Sequence, residues 1–117
     1  MSPKEILKNW VMAFNEGDAE KISNFYSHDA VNYQVALEKS IKGKIAIKEF
    51  FEWEFSNYEM VCISENIFED GNVGILEWKD PKGLRGCGFF WFEDDKITYQ
   101  RGYWDRQTFE DQQAKIN

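Results

Sequence analysis

Two residues of this 117-residue chain are candidates for moving a proton, Asp80 and His28. His28 is the only histidine, and an imidazole near a pocket mouth would act as an acid–base group at neutral pH. The alternative is that it lies in a turn, Ser27-His28-Asp29, ahead of a strand. Asp80 opens the segment Asp-Pro-Lys-Gly, where its carboxylate would be either a general base at a pocket rim or the cap of a turn.

Other catalytic patterns are missing from the sequence, which has no Ser-His-Asp or Cys-His set and no phosphate-cradling glycine loop. One histidine and scattered carboxylates make no metal ligand set, so we expect no metal and no cofactor. Asp105 follows Arg101 at a spacing that puts both on the outer face of a strand, where a cross-strand ion pair with a neighbour such as Glu77 is expected. Cys62 and Cys87 lack Cys-x-x-Cys spacing and are predicted to be reduced packing residues.

The charge balance excludes two classes of partner. Lys and Arg number 14 against 21 Asp and Glu, a net charge of −7. Binding to nucleic acid or to a membrane surface needs cations that this chain does not cluster. The start of the chain has no apolar signal core, so a cytoplasmic protein is expected. Ten Phe, five Tyr and five Trp supply a core for one domain over residues 1–117.

Hydrophobic periodicity divides the chain into a helical part and a strand-rich part. Ser2-Pro3 predicts the start of a helix that ends near Gly17, and a short second helix holds Ile22, Phe25 and Tyr26. A third helix follows Lys44. Strands are predicted over residues 30–37, 59–68, 73–79, 85–93 and 96–105, mostly joined by tight turns. This order indicates an α+β fold with helices on one face of a mostly antiparallel sheet.

Several segments occur in a familiar order: Trp10 to Asp18, Tyr26 to Val31, Gly43 to Phe51, Glu77-Trp78, Phe90 to Phe92, Lys96-Ile97 and Arg101 to Asp105. Together they resemble the SnoaL-like branch of the nuclear transport factor 2 superfamily, over nearly all of the chain. The resemblance implies a curved, mostly antiparallel sheet wrapped around helices, a cone-shaped α+β barrel. Isomerases, epoxide hydrolases, cyclases and non-enzymatic modules share this fold, so it does not determine the function.

The resemblance also implies which residues face the pocket. The last strand would present Gln100, Gly102 and Trp104, and period 2 extends that face to the other strands. The predicted ligand-contacting residues are Trp10, Tyr26, Asn32, Gln34, Trp78, Gly88, Phe90, Gly102 and Trp104. Gly88 and Gly102 would let a flat ligand group lie against the backbone. The alternative is that the aromatic side chains fill the cone and the glycines mark bulges or bends.

The acids on which the familiar chemistries depend are missing. The ketosteroid isomerase roles fall on Trp10, Gly88 and Gln34, none of which can abstract a proton from carbon. The base of the SnoaL-like cyclases falls on Gly102. Of the limonene epoxide hydrolase relay, only Asp80 remains ionisable.

Three functions therefore stay open. The first is a pocket for a small hydrophobic molecule, with or without turnover. The second is a non-catalytic dimeric interaction module, because the outer sheet face carries Phe89, Trp91 and Tyr103, and an apolar face is usually covered. The resemblance implies that the cover is a second copy, so we expect a homodimer. The third is a lyase, isomerase or hydrolase that uses Asp80 or His28.

Overall fold

The computed structural model describes residues 1–116, with side chains through residue 113, and shows four α-helices and six strands in that range. The helices are α1 (Pro3–Glu16), α2 (Ala19–Ser23), α3 (Lys44–Asn57) and α4 (Arg106–Ile116). The strands are β1 (Tyr26–Gln34), β2 (Lys39–Lys42), β3 (Ile63–Asp70), β4 (Val73–Lys79), β5 (Arg85–Glu93) and β6 (Lys96–Trp104). A 3-10 turn, Val35–Leu37, separates β1 from β2.

Helix α1 begins and ends where the sequence predicts. The Ser2 hydroxyl accepts from the Glu5 N–H, and the Glu5 carboxylate accepts from the Ser2 N–H, which makes a capping box. Gly17 ends the helix in the left-handed conformation with φ of 67°. Between these caps Leu7 and Trp10 are buried against the sheet. The packing is close because a Cβ on Gly74 of β4 would lie 2.6 Å from Leu7 Cδ1.

The six strands form one sheet in the order β2-β1-β6-β5-β4-β3, in which only β1 and β6 run parallel. The sheet and the helices share a core that includes Ile22, Ile47 and Ile97. This is the α+β fold with a curved, mostly antiparallel sheet that the sequence predicts. Gly88 of β5 and Gly102 of β6 are register partners, so the predicted glycine pair is adjacent.

Four sequence predictions about the elements are wrong. Tyr26 opens β1 instead of ending a helix, and His28 lies within that strand instead of in a turn. The first strand ends at Gln34, because the chain turns at Val35–Leu37 and returns as the unpredicted β2. Segment 59–62 precedes β3 as a loop. Ser27-His28-Asp29 lies in the irregular part of β1, because the pairing with β6 passes from Tyr26↔Ile97 to Val31↔Tyr99 with a register shift between them.

The fourth helix was also missed, and it changes the role of Asp105. The Asp105 carboxylate accepts from the N–H of Thr108 at 3.0 Å, and its carbonyl accepts from the N–H of Phe109, so it caps α4. Arg101 makes no ion pair with Glu77 in the described range. Its guanidinium instead stacks on aromatic rings. The two-residue alternation that predicted the last strand could not show that the chain becomes helical after Trp104.

Candidate functional site

A cavity lies between the inner face of the sheet and helices α1, α3 and α4. Its volume is about 120 Å³. Eight of the described lining residues are aromatic. Eight of the nine predicted contact residues line it, and these are Trp10, Asn32, Gln34, Trp78, Gly88, Phe90, Gly102 and Trp104. The cone is therefore lined by its aromatic side chains and is not filled by them.

The ninth predicted residue, Tyr26, does not line the cavity but contacts Trp10, which does. Its hydroxyl accepts the indole N–H of Trp10 at 3.2 Å and donates to Oε1 of Gln100. Burial raises the pKa of Tyr26 above its usual value, and this effect outweighs the hydrogen bond from the Trp10 indole, which lowers the pKa. The hydroxyl therefore stays protonated and holds the Trp10 ring in place.

A second polar chain crosses the cavity floor. The indole N–H of Trp104 donates to Oε1 of Gln34 at 2.9 Å, and Nε2 of Gln34 donates to Oδ1 of Asn32 at 2.7 Å. An indole nitrogen can only donate, so the orientation of both amides follows from Trp104. Asn32 is fully buried, and its Nδ2 has no hydrogen-bond partner among the described residues. The floor therefore contains a buried amide donor without an acceptor, which is a costly arrangement.

The glycines leave less open backbone than the sequence suggests. A Cβ on Gly102 would lie 2.7 Å from Oε1 of Gln34, and one on Gly88 would lie 2.9 Å from Cε1 of Phe90. A Cβ on Gly86 would collide with the ring of Trp78. Each glycine thus makes room mainly for a side chain of the protein itself. The absent Cβ atoms are what allow Gln34, Phe90 and Trp78 to take their positions around the cavity.

The two proton-transfer candidates are separated by the fold. Asp80 lines the cavity, but its Oδ1 accepts from the backbone N–H of Lys82 at 2.9 Å and of Leu84 at 2.8 Å. It therefore caps the β4–β5 turn, which is the second of the two roles that the sequence left open. His28 is exposed on β1 and is not among the residues that line the cavity.

Sequence reasoning missed Glu54 of α3, which lines the cavity and is half-buried. Burial raises the pKa of its carboxyl to about 7. No described residue donates a hydrogen bond to this carboxylate or forms an ion pair with it. The available signal was helical spacing, since Glu54 follows Phe50 by four residues and Phe51 by three, on the apolar face of the helix.

The cavity mouth was not predicted either. It is defined here by the lining residues Glu59, Met60 and Val61 of the loop before β3 and Phe109 and Gln112 of α4. The ring of Phe109 packs on Trp104 with centroids 5.3 Å apart and on Tyr58 at 5.1 Å. Helix α4 therefore reaches across to the loop beside α3.

The described residues contain neither a metal-binding cluster nor a membrane-spanning helix. Nowhere in this part of the chain do three His, Cys, Asp or Glu side chains group as a metal site requires. None of the helices in residues 1–116 is both long and apolar enough to cross a bilayer. Cys62 and Cys87 are both free thiols.

Comparison with known proteins identifies the fold from two directions. A family model described as a SnoaL-like domain matches residues 7–100. No curated protein matches the chain in sequence. Several solved structures superpose on nearly the whole chain at low identity, which shows a shared fold.

Three of these structures are similar in size to this chain. A candidate SnoaL-like polyketide cyclase from Shewanella denitrificans is 19% identical with a TM-score of 0.79, over 95% of this chain and 96% of the other. An NTF2-like protein of unknown function from Cytophaga hutchinsonii is 14% identical with a TM-score of 0.78, over 94% and 96%. A protein with a ketosteroid isomerase-like fold from Catenulispora acidiphila, in complex with trimethylamine, is 14% identical with a TM-score of 0.81, over 91% and 88%.

Proposed function

The chain belongs to the SnoaL-like domain family, and from that premise we propose that it binds a compact, mostly apolar small molecule in the aromatic cavity. The observation that carries the proposal is the buried Nδ2 of Asn32, an unpartnered donor in a cavity that has eight aromatic lining residues. Ligand pockets typically combine apolar walls with a few placed polar groups. The ligand is therefore a compact molecule with one hydrogen-bond acceptor directed at Asn32.

No reaction is included in this proposal. The positions at which family members place a base hold Gln34 and Gly102, and the position of an oxyanion-hole acid holds Gly88. The Asp80 carboxylate accepts two backbone hydrogen bonds in its turn. Binding without turnover is thus the function that these residues favour. The wall residues Trp10, Trp78 and Trp104 supply an intrinsic fluorescence signal for it, because a ligand in the cavity would contact their rings.

The test compares two ligands of similar shape that differ in one acceptor, acetophenone and ethylbenzene, by titration with tryptophan fluorescence. We expect the ketone to bind the protein about 3–10-fold more tightly, the equivalent of one net hydrogen bond of about 1 kcal/mol. Asn32→Asp keeps the side-chain shape and removes the donor, so it should abolish the preference for the ketone. Absence of binding by both ligands, or an unchanged preference in Asn32→Asp, would overturn the proposal.

A specific observation also favours the second candidate, a homodimer formed through the outer sheet face. The guanidinium of Arg101 lies 5.2 Å from the ring centroid of Trp91, 5.6 Å from that of Phe89 and 5.8 Å from that of Tyr103. Arg101 Nε is buried, and no described residue accepts its proton. A second copy packed on this face would cover the aromatic rings and supply an acceptor, for which Glu77 of the same face is suited by charge.

A further inference from the structure

The Glu54 carboxylate is the group in the cavity that the proposed function leaves unexplained. It lies on α3, three residues after Phe51, and lines a cavity to which eight aromatic residues also contribute. It lacks an ion pair and a side-chain hydrogen bond among the described residues. Carboxylates in such surroundings are normally paired, because removing the charge from water without a partner costs free energy.

The charges around the cavity favour a positive partner. The other ionic side chains that line it are Glu59, Asp80 and Lys82. Together with Glu54 this is three carboxylates against one ammonium group, a local balance of −2. The whole chain carries −7, so a cation is attracted to this mouth and an anion is repelled.

The aromatic wall next to Glu54 is itself a cation-binding surface. The ring of Phe51 contacts Trp10 with centroids 6.5 Å apart, and Trp10 contacts Phe90 at 5.3 Å. Ring faces attract organic cations through their quadrupole, most strongly for indole, and the attraction grows when water is excluded. A carboxylate beside several such rings is the arrangement that recognises an amine or a quaternary ammonium group.

We propose that the natural ligand carries an organic ammonium group, bound between the Glu54 carboxylate and the aromatic wall, with its acceptor end at Asn32. This inference rests on the proposed function, whose cavity and floor it uses. It adds that the ligand is positively charged and that Glu54 binds this charge. The amine end and the acceptor end are recognised by different elements, α3 and β1.

The protonation of Glu54 links binding to pH. With its pKa raised to about 7 by burial, the carboxyl is about half protonated at pH 7 in the free protein. A bound cation favours the ionised form, so binding at this pH releases up to about half a proton. The other titratable groups that line the cavity or support its wall are Glu59, Asp80, Lys82, Cys62 and Tyr26. Burial raises the pKa of Cys62 to about 12 and that of Tyr26 further, which keeps both protonated.

The probe pair is choline and 3,3-dimethyl-1-butanol, which have the same shape and hydroxyl group and differ only in the charge. Calorimetric titration at pH 8 should show choline binding at least tenfold more tightly than the alcohol. Glu54→Gln should reduce this preference to less than about threefold and leave the affinity for the alcohol unchanged. Glu52→Gln, an exposed position on the same helix, is the matched control and should keep the full preference.

A second readout separates a charge contact from a change of shape. At pH 7, titration in two buffers of different ionisation enthalpy should show proton release on choline binding in the unaltered protein and none in Glu54→Gln. Equal or tighter binding of the alcohol would overturn the ammonium inference and leave the proposed pocket intact. Failure of both probes to bind would also overturn it, and the acetophenone titration then decides separately whether the pocket binds ligands at all.

Discussion

The indole N–H of Trp104 donates to Oε1 of Gln34 at 2.9 Å, which joins the end of β6 to the end of β1 across 70 positions of sequence. This one bond sets the orientation of two amides, since Gln34 must then donate to Asn32. The free donor of Asn32 is therefore a consequence of a tryptophan on another strand.

Trp104→Phe is expected to weaken both the fold and the selectivity of the cavity. Loss of the indole N–H leaves Oε1 of Gln34 unpaired and lets the amide rotate, which should lower the free energy of unfolding by about 1 kcal/mol. The preference for acetophenone over ethylbenzene should fall as well. Urea unfolding and the fluorescence titration measure the two effects. Trp53→Phe is the control, because Trp53 is 54% exposed; equal effects of both substitutions would contradict the role of the bond.

Glu54→Gln should change how stability depends on pH. Burial raises the pKa of this carboxyl to about 7 from 4.5, so the folded state holds the proton more tightly than the unfolded state. The free energy of unfolding should therefore fall as pH rises from about 4.5 to 7, by up to about 3 kcal/mol from this group. Glu54→Gln has no carboxyl to ionise at this position, so its free energy of unfolding should not fall in this way. The variant should therefore be more stable than the unaltered protein at pH 8. Urea unfolding from pH 5 to 8 tests this, and parallel profiles for the two proteins would exclude a buried carboxyl at this position.

Trp91→Glu should prevent the proposed dimer. The substitution places a negative charge beside the rings of Phe89 and Tyr99, and burying it against a second copy would be costly. Sedimentation velocity should give a dimer for the unaltered protein and a monomer for the variant. Trp53→Glu, on the exposed side of α3, should remain dimeric. A monomeric unaltered protein, or a dimer that survives Trp91→Glu, would remove the outer face as an interface.

Asn15→Ala should expose the thiol at the cavity mouth. The Asn15 amide accepts from the N–H of Cys62 at 2.7 Å and donates to its carbonyl at 2.9 Å, which ties the loop before β3 to α1. Burial raises the pKa of the Cys62 thiol to about 12, so alkylation should be slow. In a Cys87→Ser background, the variant should react at least tenfold faster with iodoacetamide. Asn57→Ala, whose amide contacts only the Trp53 carbonyl on the surface, should react at the original rate.

Several features could be predicted from local patterns. The caps of α1 and the bounds of β4 and β5 agree with the structure, since they depend on short-range chemistry at Ser2, Gly17 and the turns. The pocket-facing positions implied by the resemblance agree with the lining of the cavity, because alternation along a strand extends one such position to the rest of the strand. The sequence narrowed the role of Asp80 to a general base or the cap of a turn, and its hydrogen bonds within the turn favour the cap.

Other features depended on contacts between distant segments. Tyr26 looked helical, yet it lies in β1, where its hydroxyl meets Trp10 and Gln100. The strand prediction ended at Asp105 and missed α4, which is held across the mouth by Phe109. Neither placement follows from nearby residues, since each depends on which surface the segment packs against.

The sequence, read through its resemblance to the SnoaL-like proteins, determined that the cavity has aromatic walls and lacks the acids of the familiar chemistries, because the resemblance implies which positions face the cavity and strand alternation then gives the residue types there. Only the tertiary structure decided which polar groups remain unpaired within it. Whether Asn32 finds an acceptor depends on Gln34 and Trp104, and whether Glu54 finds a cation depends on everything packed around α3. Pairing is a property of three-dimensional neighbours, and these unpaired groups are what the proposed ligand is expected to satisfy.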